Sequence, residues 1–330
     1  MSYETGARLL LVGQGPTAAT ALRSLLQQHQ VLGVVRSAAP EDPVALTAGA
    51  AGVPVYPDTT VDGITEVVAG LRPDCVVVSS YDRILPAELL RSCPFVNVHY
   101  SPLPAYRGRA NVNWAVINGE SEVAISVHEL VPDLDAGGVL FQQRVPIGPR
   151  STATELYAQL NGLQEGHLAA AVERLLGGDH GLAQDESLAT YGCTRVPEDG
   201  ELDWQQETVV LDRLVRGLTS PAPGAFTYLG LERVRVDVAE PSPDVRRFVG
   251  RVPGRVVQVS RRHGWVDVLT GDGALRLHSV RDEAGVPHPA AELIRSVRST
   301  LGLRTQTLLQ EIVELRRQLR AATVSSPRHL

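Results

Sequence analysis

Residues 8–35, RLLLVGQGPTAATALRSLLQQHQVLGVV, decide the fold. A short apolar run is followed by Gly13 and Gly15, then by leucines at helical spacing, then by the apolar run LGVV. Strand, glycine turn, helix and strand in that order form a βαβ unit. The pattern continues with AAGVPVYP (50–57), the amphipathic VDGITEVVAGLR (61–72) and the buried-type run DCVVVSS (74–80). The short helix PAELLRS (86–92) and the strand FVNVHY (95–100) complete it. Successive βα units predict an α/β fold with a Rossmann-like, mostly parallel sheet and helices on both faces.

Farther along, EVAISVHELV (122–131) and GGVLFQQRVPI (137–147) predict two strands of mixed or antiparallel pairing, followed by a long helix over 152–176. Polar residues with Gly and Pro over 177–200 read as a crossover. A helix near 208–218, the turn SPAPGAF (220–226) and short punctuated strands through Val280 then predict a small β-rich C-terminal domain. The expected organisation is a first domain over 1–200, the β-rich domain over 201–285, a helical extension over 286–324 and a disordered tail over 325–330. In the extension, Leu301, Leu308, Ile312, Leu315 and Leu319 fall largely at alternating steps of four and three. Glu311, Glu314, Arg316, Arg317 and Arg320 surround them, and Thr305 interrupts one apolar position. Such a repeat can pair two copies as a homodimer or dock a terminal helix on its own domain.

With 330 residues, 43% of them apolar, the chain has the material for two packed domains and is not a disordered tail. It contains no lysine, which excludes Walker-lysine, Schiff-base and lysine general-base chemistry. No run approaches the roughly 20 apolar residues of a membrane span, and the N-terminus lacks a signal-peptide pattern, so a cytoplasmic protein is expected. Cys75, Cys93 and Cys193 are few and widely spaced, which suggests neither a disulfide framework nor a thiolate metal site. The net charge of −6 is uneven: residues 245–330 carry +8 and residues 1–244 carry −14. The arginine-rich last quarter can face an anion or simply be a solvated surface.

Three stretches can carry chemistry. Gly13-Gln14-Gly15 superficially opens a dinucleotide fingerprint, but Ala18 takes the third position. Arg36 follows the second strand where an acid would bind a ribose, which keeps an NADP-dependent oxidoreductase as an alternative. In FVNVHYSPLPAYRGRANVNWAVINGE (95–120), Asn97 and His99 flank Val98 on a strand. Their side chains share one face at the carboxyl end of a parallel strand, where open α/β sheets place their sites. Pro102, Pro104 and Gly108 make the following segment a shaped loop. In VPDLDAGGVLFQ (131–142), Asp135 sits in a turn beside Gly137 and Gly138, where backbone can approach a ligand closely.

Taken together, Asn97-Val-His99 with SPLPAYRGR, the stretch NWAVINGE, LDAGGVLFQ, and later LDW with SPAPGAF closely resemble the folate-dependent formyltransferases. These include the methionyl-tRNA and the amino-sugar formyltransferases. The resemblance spans roughly residues 7–280. Ser101-Pro102-Leu103-Pro104 stands where the family usually has SLLP, which stiffens the loop at the acceptor entrance. The resemblance implies a catalytic trio of Asn97, His99 and Asp135, with 10-formyltetrahydrofolate as co-substrate and no metal. It implies a folate cleft bordered by SSYDRIL (79–85) and VPDLD (131–135), with Tyr81, Arg83, Ile84, Leu103 and Leu134 as folate contacts. Ser101, Arg107 and Arg109 would meet the acceptor, although Arg107 can equally be a tie holding its loop.

Those residue types suit formyl transfer. An asparagine amide can donate to an oxyanion, and a histidine can accept the amine proton or stabilise the oxyanion as imidazolium. An aspartate can orient that histidine and favour its charged form. The early loop RSAAPEDPVALTAGA (36–50) and the acidic main domain oppose tRNA binding, which needs positive charge along the footprint. The favoured partner is therefore a small-molecule primary amine, foremost the amino sugar of a sugar nucleotide, with no membrane partner. Initiator tRNA and a hydroxylated ornithine are the alternatives. A hydrolase passing formyl to water is chemically adjacent, and a non-catalytic relative would be marked by a lost trio, whereas all three residues are present.

Overall fold

The computed structural model describes residues 6–324 apart from residues 38, 40, 220, 221 and 245. The chain divides into two compact units, residues 1–115 with 120–195, and residues 116–119 with 196–330. The tail expected over 325–330, and Ser220-Pro221 of the SPAPGAF turn, lie outside the described residues.

In the first unit the elements are β1 (Arg8–Gly13), α1 (Gly15–Leu26), β2 (Gln30–Val35), α2 (Pro43–Ala50), β3 (Val55–Tyr56), α3 (Val61–Leu71), β4 (Cys75–Ser79), α4 (Ala87–Leu90) and β5 (Phe95–His99). The two-residue β6 (Arg107–Gly108), α5 (Asn111–Asn118), β7 (Glu122–Glu129), β8 (Val139–Pro146), α6 (Ala153–Leu176) and β9 (Tyr191–Gly192) follow. Seven strands form one sheet in the order β3-β2-β1-β4-β5-β7-β8. The first five are parallel, β7 runs antiparallel to β5, and β8 runs antiparallel to β7.

Alternation along the strands explains why both faces are covered. Leu10, Val12, Val76 and Val78 pack with Ile64 and Val68 of α3 and Leu89 of α4. The intervening positions face the other way, where Ser79 meets Gln164 of α6 and α1 lies against α6. The long α6 starts in a capping box: the Thr152 hydroxyl accepts from the Glu155 amide while Glu155 accepts from the Thr152 amide. Strand order reverses between β1 and β4, so the crevice opens above their carboxyl ends and that of β5.

The second unit holds α7 (Thr208–Gly217), β10 (Ala225–Leu229), β11 (Glu232–Pro241), β12 (Val256–Ser260), β13 (Trp265–Leu269), β14 (Ala274–Arg281), β15 (Pro287–Pro289), α8 (Ala290–Leu293) and α9 (Thr305–Val324). Its sheet is antiparallel, in the order β10-β11-β14-β13-β12 with β15 on β14. The helical extension expected from residue 286 begins only at Thr305. Before it, Ala290, Ala291, Ile294 and Leu301 are buried in the core of the β-rich unit, and Thr300 and Leu301 bridge to Arg255 and Leu229. Burial of those apolar side chains confines helix in that segment to the single turn of α8. Among the described residues no helix is long and apolar enough to cross a membrane.

Candidate active site

A cleft of about 560 Å³ opens at the carboxyl end of the first unit's parallel strands. Gln14 and Thr17 of the first βα turn border it, as do the segments 80–85, 97–100, 108–112 and 130–135. Asn97, His99 and Asp135 line it together, brought from one strand, β5, and the turn between β7 and β8.

Asp135 ties these groups into one network. One carboxylate oxygen, Oδ1, accepts from Asn97 Nδ2 at 3.3 Å, and the other, Oδ2, accepts from the Gly108 amide at 2.8 Å and lies 3.5 Å from His99 Nδ1. His99 Nε2 is 2.8 Å from the Tyr106 carbonyl oxygen and 2.9 Å from the Asn111 amide. A carbonyl only accepts, so Nε2 carries a proton and Nδ1 is the nitrogen that can exchange one. Turning the Asn111 amide to present its oxygen to Nε2 gives Oδ1, otherwise buried without a partner, its bond at the expense of a 3.2 Å bond to the Gly108 carbonyl. A proton gained at Nδ1 forms an imidazolium directly beside the Asp135 carboxylate.

His128, in register opposite Asn97, completes the network. Its Nδ1 donates to the Glu129 carbonyl at 2.8 Å, which leaves Nε2 to accept from Asn97 Nδ2 at 3.1 Å. Both neighbours of the Asn97 nitrogen are acceptors, which fixes that amide's orientation. Burial pushes the His128 imidazolium down to about 4, with Asp135 partly opposing it, so the ring is neutral around pH 7. The sequence reading missed His128 because its role depends on strand register. Asn111 and the Tyr106 carbonyl escaped for a similar reason, since the loop that aims them is irregular. The polar residue at an inward position of EVAISVHELV was the one local signal for His128.

Backbone strain concentrates here. Of the five non-glycine residues with positive φ among the described residues, Ser80, Ala110 and Asp135 line the cleft, and Tyr106 supplies its carbonyl to His99. The loop after β5 is held from below by Ser126, which donates to the Ser101 carbonyl at 2.6 Å, and by Gln142, which donates to the Leu103 carbonyl at 3.0 Å. Gly137 and Gly138 have a different role from the one expected. A Cβ on either would lie 1.9 Å from the carbonyl oxygen of Glu129 or of His180, so their bareness admits the chain's own backbone rather than a ligand.

The remaining expected contacts divide. Tyr81, Arg83, Ile84 and Leu134 line the cleft, with Ile84 and Leu134 exposed as apolar wall. Arg109 also lines it, half-exposed and paired with Asp82 at 3.1 Å. Leu103, Ser101 and Arg107 are buried and stand outside the lining. The Arg107 guanidinium turns to Glu186 at 2.6 and 2.8 Å and to Gln184 at 2.8 Å, and Glu186 holds it firmly charged. Arg107 is thus placed as the loop tie and not as the acceptor contact.

At the first glycine turn, among the described residues, Asp42 stands where a dinucleotide phosphate would bind. Asp42 accepts from the Gly15 amide at 3.0 Å and from the Val44 amide at 3.0 Å, and pairs with buried Arg36 at 2.7 Å. The chain's own carboxylate occupies the anion position at the start of α1 and consumes the arginine an NADP phosphate would need. Among the described residues no group of three or more His, Cys, Asp or Glu is arranged to hold a metal ion.

An open α/β sheet with an Asn-His-Asp network at its crevice is a site equipped for acid-base chemistry, and the comparisons with known proteins give its class. Residues 13–172 match the formyl transferase family model and residues 195–298 match that of the formyl transferase C-terminal domain. The chain belongs to the formyl transferase family. Among solved structures it is similar to HypX from Aquifex aeolicus in complex with tetrahydrofolic acid. There the identity is 21% and the TM-score 0.64, over 89% of this chain and 48% of that one. It is also similar to the N-formyltransferase from Helicobacter canadensis in complex with folinic acid and dTDP-3-aminofucose. The identity is 15% and the TM-score 0.62, over 82% of this chain and 98% of that one. A sugar N-formyltransferase from Shewanella sp. matches at 18% identity and a TM-score of 0.58, over 70% and 97%. The chain spans about half the length of HypX.

Proposed function

We propose that the protein transfers a formyl group from 10-formyltetrahydrofolate to a primary amine, the amine being an amino sugar of a sugar nucleotide. The observation that carries this reading is the convergence of Asn97, His99 and Asp135 on one cleft, joined through the two carboxylate oxygens of Asp135. The cleft suits the folate: its volume lies in the small-ligand range, and Ile84, Leu85, Leu130 and Leu134 give an apolar wall for a pterin.

Each residue then has a task. Asn97 Nδ2 donates to the formyl oxygen as charge builds on it, exchanging the long 3.3 Å bond to Asp135 for one to the oxyanion. His99 Nδ1 takes the proton released by the attacking amine, and the adjacent Asp135 charge stabilises the imidazolium. The same proton can return to the leaving nitrogen of the folate. Strain at Ser80, Ala110 and Asp135 keeps the donors aimed before substrate arrives.

The amino-sugar assignment draws support from the sugar N-formyltransferases among the similar folds and from Arg109, a half-exposed cation at the cleft that can meet a pyrophosphate. Purified protein with 10-formyltetrahydrofolate and a panel of aminodeoxy sugar nucleotides, initiator Met-tRNA, hydroxyornithine and buffer alone tests it. Turnover confined to one sugar nucleotide is expected. Turnover with tRNA or hydroxyornithine instead would overturn the acceptor, and formate release in buffer alone would make the protein a hydrolase.

A further inference from the structure

Helix α9 exposes Leu308, Leu309, Ile312, Val313, Leu315 and Leu319, each between 39% and 68% accessible. At about 100° per residue, positions 308, 312, 315 and 319 fall within an arc of roughly 60°, and Leu309 and Val313 widen the apolar surface on one side of it. The spacing of four, three and four is a coiled-coil seam, with Leu308 and Leu315 at d positions and Ile312 and Leu319 at a positions. β-Branched Ile at a with Leu at d favours two parallel strands.

We propose that α9 pairs with α9 of a second copy of this chain as a parallel two-stranded coiled coil. The flanking charges select the direction. Glu311 stands at g and Arg316 at the following e position, so in a parallel pair Glu311 faces Arg316 of the partner subunit, twice by symmetry. An antiparallel pair would set Glu311 against Gln318 and Leu309 against Arg316 and would form no ion pair. Within the chain, Glu314 is already engaged by Arg317 and Gln318 on the outer face, at 2.9 and 3.0 Å, whereas Glu311 and Arg316 have no ion-pair partner among the described residues. The seam is short, so dimerisation is concentration-dependent. The inference is independent of the reaction assigned to the cleft.

Sedimentation velocity on the full chain over a dilution series tests it. The expected result is a monomer–dimer equilibrium that Ile312→Asp shifts fully to monomer. Glu311→Arg alone and Arg316→Glu alone each weaken self-association by about tenfold or more, because like charges then face across the seam. The double variant Glu311→Arg/Arg316→Glu recovers it, and mixing the two single variants yields a heterodimer. All three substituted positions are exposed, and matching thermal melts would confirm that each variant folds. A wild-type protein that stays monomeric, a dimer that survives Ile312→Asp, or a double variant no better than the singles would each overturn the proposal.

Discussion

Asn97 and His128 are direct cross-strand partners on β5 and β7, and their side chains meet, Asn97 Nδ2 donating to His128 Nε2 at 3.1 Å. The bond exists only while His128 is neutral, because a protonated ring has no acceptor to offer. A buried, uncharged histidine therefore fixes the amide proposed to hold the oxyanion, and the carboxylate of Asp135 closes the network from the other side.

That arrangement makes stability depend on His128 in acid. The folded ring ionises at about 4, whereas an unfolded histidine ionises near 6.5. Between those values the unfolded chain binds more protons, so stability falls as pH drops from 6.5 towards 4, by about 3 kcal/mol in all. Urea melts of wild type and His128→Gln at pH 7 and pH 4.5 should show a larger acid loss in wild type by about 2 kcal/mol. Equal losses would mean that the ring is not buried neutral.

Removing the Asn97 amide donor should slow transfer without unfolding the protein. Asn97→Ala is expected to lower kcat by roughly 10²–10³-fold with folate affinity little changed, the scale for one oxyanion donor. Steady-state kinetics beside a folate binding titration would separate the two.

Asp135 occupies the left-handed region at φ 48°, which aspartate and asparagine tolerate better than most side chains. Asp135→Asn should thus keep the turn, cost about 1 kcal/mol or more of stability because its NH2 replaces one of two oxygens that both accept, and cut turnover by about 10²-fold or more through loss of the carboxylate beside His99. Asp135→Ala should lose about 1 kcal/mol of stability as well. Thermal melts with rates on both variants check this.

The two loop arginines should behave oppositely. Arg107→Ala breaks the buried tie to Glu186 and Gln184 and should cost about 2–3 kcal/mol of stability, mainly through lost packing and hydrogen bonds. Arg109→Ala should leave the melting temperature unchanged and raise the acceptor KM roughly tenfold. Stability loss at Arg109, or none at Arg107, would reverse these assignments.

How far the sequence could be read follows from how local each signal is. The alternation in FVNVHY places Asn97 and His99 on one face, and the βα repeats give the parallel sheet, because both depend on residues a few positions apart. The partner of Arg107 lies 79 residues away and that of Asn97 lies 31 away on an antiparallel strand. No periodicity reports such pairings. The glycines after Asp135 were legible as a close approach, but not that the Glu129 and His180 carbonyls make it. Arg36 looked like a phosphate ligand because the partly buried Asp42 that claims it sits past a loop of irregular sequence.

The most direct measurement follows the label from 10-formyltetrahydrofolate carrying ¹⁴C in the formyl carbon, with wild type, His99→Ala and Asp135→Asn, each first shown to bind folate. The account predicts that wild type moves the label onto the amine of an amino-sugar nucleotide and that both variants bind folate but leave the label in place. Label transfer at the wild-type rate in either variant, or no transfer to any amine by a wild-type protein that binds folate, would contradict it.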